Sequence, residues 1–138
     1  MSKVAIVFWS ATGNTETMAN CIAEGAGAAA TIVPCGEMNA AKLGEYDVVA
    51  FGCPAMGAEQ LEESEFEPMF ASLEGSLNGK KVALFGSYGW GGGEWMQNWE
   101  RDCRSSGIQL ACDSVICNDA PDDAALAACQ ALGKALVD

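Results

Sequence analysis

At 138 residues the chain has the size of one ordinary domain, and a hydrophobic content of 50% is ample for a single packed core. Nineteen acidic against seven basic residues, with no histidine, give a net charge of -12. That balance opposes nucleic acid and anionic membranes, and the lack of histidine removes Ser-His and Cys-His nucleophile pairs, HExxH zinc sites and the ordinary proton shuttle near neutral pH.

In chain order, the apolar runs Val4 to Trp9, Thr31 to Pro34, Val48 to Cys53, Val82 to Gly86 and Leu110 to Ile116 read as five strands. Glu16 to Ala26, Glu65 to Leu73, Glu94 to Ser105 and Asp122 to Val137 carry helical patterns, with a weaker one at Glu37 to Leu43. Strands this continuously apolar are buried on both faces, so their alternation with helices predicts an α/β three-layer sandwich with a doubly wound parallel sheet. No linker or repeat interrupts the pattern, and residues 1–138 are expected to form one domain. No apolar stretch approaches the ~18 residues of a membrane span. The amino terminus lacks the pattern of a signal peptide, and a cytoplasmic location is expected.

In such sheets a ligand lies outside the carboxyl ends of the strands, where this chain has three chemically unusual loops. The first is Ser10-Ala11-Thr12-Gly13-Asn14-Thr15, between an apolar strand and a helix. Its free backbone N–H groups, the partial positive charge of the helix start and its hydroxyls suit a phosphate. The same residues would serve equally well as a plain helix cap. No Lys or Arg lies between Lys3 and Lys42, and GxxxxGK[ST] is absent, so a monophosphate held by neutral dipoles fits better than a triphosphate with its metal.

The third loop, Ser87-Tyr88-Gly89-Trp90-Gly91-Gly92-Gly93, combines glycines that let backbone approach a ligand with two aromatic surfaces. Trp90 reads either as a core residue or, given the three glycines after it, as an exposed stacking platform. The second loop, Cys53-Pro54-Ala55-Met56-Gly57-Ala58-Glu59, offers a thioether that is either filler or the opposite wall of a slot.

Seven cysteines, odd in number and without a CxxC pair, argue against a metal site or a disulfide framework. Cys53, Cys112 and Cys129 lie in apolar strand or helix patterns, where a thiol acts as a small hydrophobe.

Together these loops resemble flavodoxin, the small FMN-containing electron carrier, and most closely its short-chain clostridial type. The resemblance spans the chain: VFWSATGNTETMA is similar to the phosphate loop and first helix, GCPAMGAEQLEESEFEP to the second flavin loop and ALFGSYGWGGGEWM to the third. It implies strand order 2-1-3-4-5, with no extra segment interrupting the fifth strand Leu110 to Ile116. It also implies a low-potential one-electron carrier, without a substrate of its own, that shuttles between redox enzymes.

By the same resemblance, Ser10 to Thr15 would bind the FMN phosphate, and Met56 and Trp90 would sandwich the isoalloxazine ring. Glu59 would meet the flavin N3 edge. Gly89 would lie near flavin N1, Asn118 near the ribityl end, and Pro54, Ala55, Ser87, Tyr88 and Gly91 at further contacts. Trp9, Trp95 and Trp99 read mainly as packing. Glu62, Glu63, Glu65 and Glu67 extend an acidic rim, where each charge about 10 Å from a reduced ring would cost roughly 0.8 kcal/mol at an effective dielectric of about 40. The rim suits docking to basic patches on redox partners, although solubility alone would explain it, and nothing in the sequence demands more than a monomer. An FMN-dependent quinone or NAD(P)H reductase on the same fold usually adds loop insertions or a tetramer interface to form a substrate pocket, and this chain shows no insertion for either. A phospho-receiver domain would need an acidic pair where Phe8-Trp9-Ser10 stands and an aspartate in place of Cys53.

In the family the peptide after the glycine matching Gly57 turns its carbonyl towards flavin N5 on one-electron reduction. Exchange between type II and type II′ turns moves the demand for positive φ between Ala58 and Gly57, and alanine resists it. Ala58 is therefore expected to favour the carbonyl-up turn. Ala58→Gly should destabilise the one-electron-reduced state, as read from the two one-electron potentials, and unchanged potentials would refute this.

Overall fold

The computed structural model describes residues 3–10, 13–56, 60–89 and 92–137. Its sheet begins with β1, Val4–Phe8, which is followed by helix α1, Asn14–Ala26. Next come β2, Ala30–Pro34, the one-turn helix α2, Ala40–Leu43, and β3, Val48–Gly52. Helix α3, Phe66–Leu73, leads to β4, Lys81–Tyr88, and α4, Glu94–Ser105. The edge strands β5, Gln109–Leu110, and β6, Val115–Asn118, precede the last helix α5, Asp123–Val137. All strand pairs are parallel, in the order β2-β1-β3-β4-β5, with β6 also on β4.

Side-chain alternation divides the core into two layers. Val4, Ile6, Val48, Ala50, Ala83 and Phe85 face α1 and α5, packing with Met18, Ile22, Leu132 and Leu136. Ala5, Val7, Val49, Phe51, Val82 and Leu84 face the other layer, where Phe66 and Phe70 of α3 meet Trp99 of α4 edge to face, each 5.5 Å from it. The three layers expected from the sequence are therefore present, and Trp95 and Trp99 are core residues.

The fifth strand is not continuous. Register runs Val82↔Leu110 and resumes Phe85↔Val115, so Ala83 and Leu84 face four residues, 111–114. Ala111 still donates to the Val82 carbonyl at 2.8 Å, and the chain then leaves the ladder, with Ser114 donating to a Glu100 carboxylate oxygen at 2.7 Å. The polar pair Asp113-Ser114 is the physical cause, since neither residue gains from burial on the sheet. Cys112 accordingly lies half-buried in the break and not in a strand. β4, in turn, extends beyond Gly86 to Tyr88, because β6 pairs Ser87 with Cys117 and Tyr88 with Asn118.

Helices α1 and α5 pack at backbone contact. A Cβ on Gly133 would lie 2.1 Å from the Ile22 carbonyl oxygen, and one on Gly25 2.0 Å from that of Gln130. These neighbours are main chain and cannot swing aside, so the helices would have to separate. Gly133→Ala should lower stability by about 1–3 kcal/mol in urea unfolding, and an unchanged midpoint would show that the helices pack less closely than this.

Candidate functional site

The carboxyl ends of β1, β3 and β4 converge on a cleft of about 190 Å³ lined by Ser10, Asn14, Thr15, Pro54, Ala55, Met56, Ser87, Tyr88, Gly89 and Asp119. Of the residues expected from the sequence, those nine apart from Asp119 meet here. Gly13 stands beside them as the residue preceding α1. Ala11, Thr12, Gly57, Ala58, Glu59, Trp90 and Gly91 lie outside the described residues.

One end of the cleft is the start of α1. Gly13 has φ 97, a left-handed conformation that glycine adopts without strain. The Ser10 hydroxyl oxygen accepts from the N–H of Gly13 at 3.1 Å and of Glu16 at 3.4 Å, so Ser10 does act as a cap. The cap leaves capacity unused, because among the described residues no acceptor meets the N–H of Asn14 or Thr15. Helix geometry gives these first-turn donors no intrahelical partner. Thr15, 1% exposed, has its hydroxyl 3.3 Å from that of Ser87, 6% exposed, joining α1 to the end of β4. Two backbone donors and nearby hydroxyls, with no cation in the lining, match the donor set a phosphate monoester needs.

The other end is built by the segment leaving β3. Cys53 donates its N–H to the Phe85 carbonyl at 3.1 Å, and Ala55 to that of Ser87 at 3.0 Å, so the segment starts as an extension of the sheet. Met56 and Gln60 then exchange both backbone bonds, at 2.8 and 2.9 Å, as an isolated antiparallel bridge. Across the cleft, Tyr88 lies 5.5 Å from Trp95 at a tilt of 51°. The Trp95 indole N–H donates to the Cys53 carbonyl at 3.2 Å.

Two acidic residues differ from the sequence reading. Glu62 does not belong to the exposed rim: it is 6% exposed, and its carboxylate accepts from the N–H of Ser64 at 2.9 Å, of Glu65 at 2.7 Å and of Phe66 at 2.8 Å, and from the Ser64 hydroxyl. It caps the first turn of α3, where a negative charge is favoured. Burial pushes its pKa up, but these four hydrogen bonds to the ionised form prevail and hold the carboxyl at about 2. Glu63, Glu65 and Glu67 do remain exposed.

Asp119 is the second. The expected contact Asn118 ends β6 outside the cleft lining and donates its side-chain amide to the Tyr88 carbonyl at 3.4 Å. Asp119 turns into the cleft lip instead, with φ 57 and its N–H on the Tyr88 carbonyl at 2.8 Å. The run Asn118-Asp119-Ala120-Pro121 carried a usable signal, because Asn and Asp before a proline mark turns and tolerate the left-handed region.

Five of the thiols, those of Cys35, Cys53, Cys103, Cys117 and Cys129, are buried. Burial pushes Cys53, Cys103 and Cys129 up to about 12 and Cys35 up to about 11, so these four stay protonated and unreactive at neutral pH. Among the described residues, no cluster of acidic residues and cysteines could hold a metal ion, and no helix is long and apolar enough to cross a membrane.

The family model described as Flavodoxin matches residues 6–132. The flavodoxin of Megasphaera elsdenii is 46% identical over 135 residues, which cover 96% of each chain. That of Clostridium beijerinckii is 44% identical over 122 residues, covering 86% of this chain and 88% of the other. Among solved structures, two-electron reduced Megasphaera elsdenii flavodoxin superposes with a TM-score of 0.88 over 97% of this chain and 98% of that one. Oxidised flavodoxin 1 from Bacillus cereus, 25% identical, gives 0.84 over 99% and 97%.

The Glu62 cap has a measurable pH signature. Its folded pKa of about 2 lies below the ordinary 4.5, so its contribution is complete above pH 4.5 and is lost as pH falls towards 2. The full loss amounts to about 3 kcal/mol. Urea unfolding between pH 6 and 3 should show this decline, and Glu62→Gln should be less stable at pH 6 and flatter across the range; a parallel decline in both proteins would remove Glu62 as its source.

Proposed function

The chain belongs to the flavodoxin family and is an FMN-binding, low-potential one-electron carrier, and from that premise we propose a division of the cofactor among its three loops. Ser10, Ala11, Thr12, Gly13, Asn14 and Thr15 hold the phosphate. Pro54, Ala55, Met56, Gly57, Ala58 and Glu59 form one side of the ring site, and Ser87, Tyr88, Gly89, Trp90 and Gly91 the other, with Asn118 and its neighbour Asp119 at the ribityl end. The observation that carries this reading is the pair of N–H groups of Asn14 and Thr15, which meet no acceptor among the described residues, at the foot of the same cleft that Met56 and Tyr88 line.

When bound, FMN supplies the capacity to take up and release electrons singly. The protein's part is to bind the oxidation states unequally, and each tenfold difference in affinity moves a one-electron potential by about 59 mV. Neutral donors at the phosphate end keep a fixed anion without adding positive charge near the ring. The exposed carboxylates of Glu63, Glu65 and Glu67 lie just beyond the second loop and disfavour further negative charge in the cleft, which makes the reduced protein a stronger reductant. Salt screens part of this effect.

Flavodoxins act with redox partners. For this chain the partner surface we propose is a basic patch that meets the acidic rim beside the cleft, with the protein acting as a single-domain monomer in the cytoplasm. Its net charge of -12 supports steering of that kind.

Anaerobic photoreduction of the FMN-loaded protein, followed by visible absorption, should proceed in two separate one-electron stages. The same sample should show no NAD(P)H-dependent quinone turnover. Rapid turnover with a single two-electron stage would replace the carrier by a reductase, and failure to bind FMN would overturn both.

A further inference from the structure

The hydrogen-bonding capacity of Glu62 is directed inward. Its carboxylate holds the start of α3, its N–H meets the Cys53 sulfur at 3.3 Å, and its carbonyl accepts from Glu67 N–H at 2.9 Å. One residue thereby ties a helix to the end of the central strand β3. Between the two ends of that tie, Ala55 is fastened to β4 and Met56 is paired with Gln60 through both backbone bonds.

We infer that Glu62 is a positioning residue for the ring side of the FMN site: without lining the cleft, it holds residues 54–56 and their partner Gln60 between β3 and α3, so that Met56 is presented in one place. The inference rests on the cofactor reading above. Glutamine in its place would turn an amide NH2 towards donors that now meet a carboxylate oxygen, at Ser64 or at Glu65 and Phe66, and buried unmatched donors of this kind are costly. The tie would slacken. The phosphate end stands on a different element, α1, and touches the ring end through the Thr15 and Ser87 hydroxyls. A slack second loop should therefore be felt at the ring and not at the phosphate.

The test is to titrate full-length apoprotein, wild type and Glu62→Gln, with FMN, riboflavin and inorganic phosphate. Flavin fluorescence reports the first two, and the amide NMR signals of Asn14 and Thr15 report the third. The expected result is that FMN and riboflavin weaken by the same factor, tenfold or more, while phosphate affinity stays within twofold. Amide exchange at Met56 and Gln60 should also accelerate more than within α1. Unchanged riboflavin affinity in a folded variant would overturn the inference, and so would an equal loss for phosphate, which signals general loosening.

Should Glu62→Gln fail to fold, Cys53→Ala removes the sulfur that accepts from the Glu62 N–H and donates to the Pro54 carbonyl, and Cys53→Ser keeps a hydroxyl for both. Riboflavin should bind at least threefold more weakly to the first than to the second, and equal affinities would overturn the inference. A wild-type protein that bound neither flavin would instead defeat the cofactor reading itself.

Discussion

Cys53 stands where the central strand gives way to the second loop, and each of its polar groups reaches a different element. Its N–H bonds to Phe85 of β4, its carbonyl accepts the indole N–H of Trp95 from α4, and its sulfur accepts the N–H of Glu62 ahead of α3. The carbonyl has room because Gly86 lies beside it; a Cβ there would stand 2.2 Å from the oxygen. Leaving a buried polar group unmatched costs about 1–3 kcal/mol, so these contacts are held together or lost together. From one point they locate two walls of the cleft and the helices behind them. Burial keeps the thiol protonated, so it donates to the Pro54 carbonyl at 3.5 Å while its sulfur accepts from Glu62.

Around that junction the site separates two electrostatic tasks. The end of the cleft at α1 offers backbone dipoles and hydroxyls, and among the described residues its lining holds no cation. The second loop carries its carboxylates outward, except for Glu62, whose charge is absorbed by the start of α3. Four acids that are near neighbours in sequence therefore act in two ways. Three stay in solvent, and the fourth fastens the start of α3.

The central strands and the three loops were legible because burial on both faces leaves an uninterrupted apolar run, and because glycine, hydroxyl and aromatic residues collect where those runs end. The sheet edge was not. Leu110 to Ile116 has the composition of one strand, and nothing in composition records that Asp113 and Ser114 gain more from solvent and from Glu100 than from a ladder. The extension of β4 to Tyr88 depends on β6, a partner about thirty residues away in sequence, with Tyr88 facing Asn118. Glu62 carries the same side chain as its neighbours, and its different role follows from where α3 begins. Asn118 follows from register alone, which carries no backbone direction; φ 57 at Asp119 turns the chain at the next residue.

The break in the outer strand also bears on the company the protein keeps. A parallel sheet ends in two borders of unpaired N–H and C=O groups, which can template pairing with another chain. Here one border carries Pro34, which has no N–H to offer, and the other is cut into a two-residue and a four-residue piece. The four residues facing two shift the register by two, an even number, so inward and outward faces are preserved while the straight run of backbone is lost. Neither border therefore offers the long, straight run of free backbone that a second copy would need for extended strand pairing.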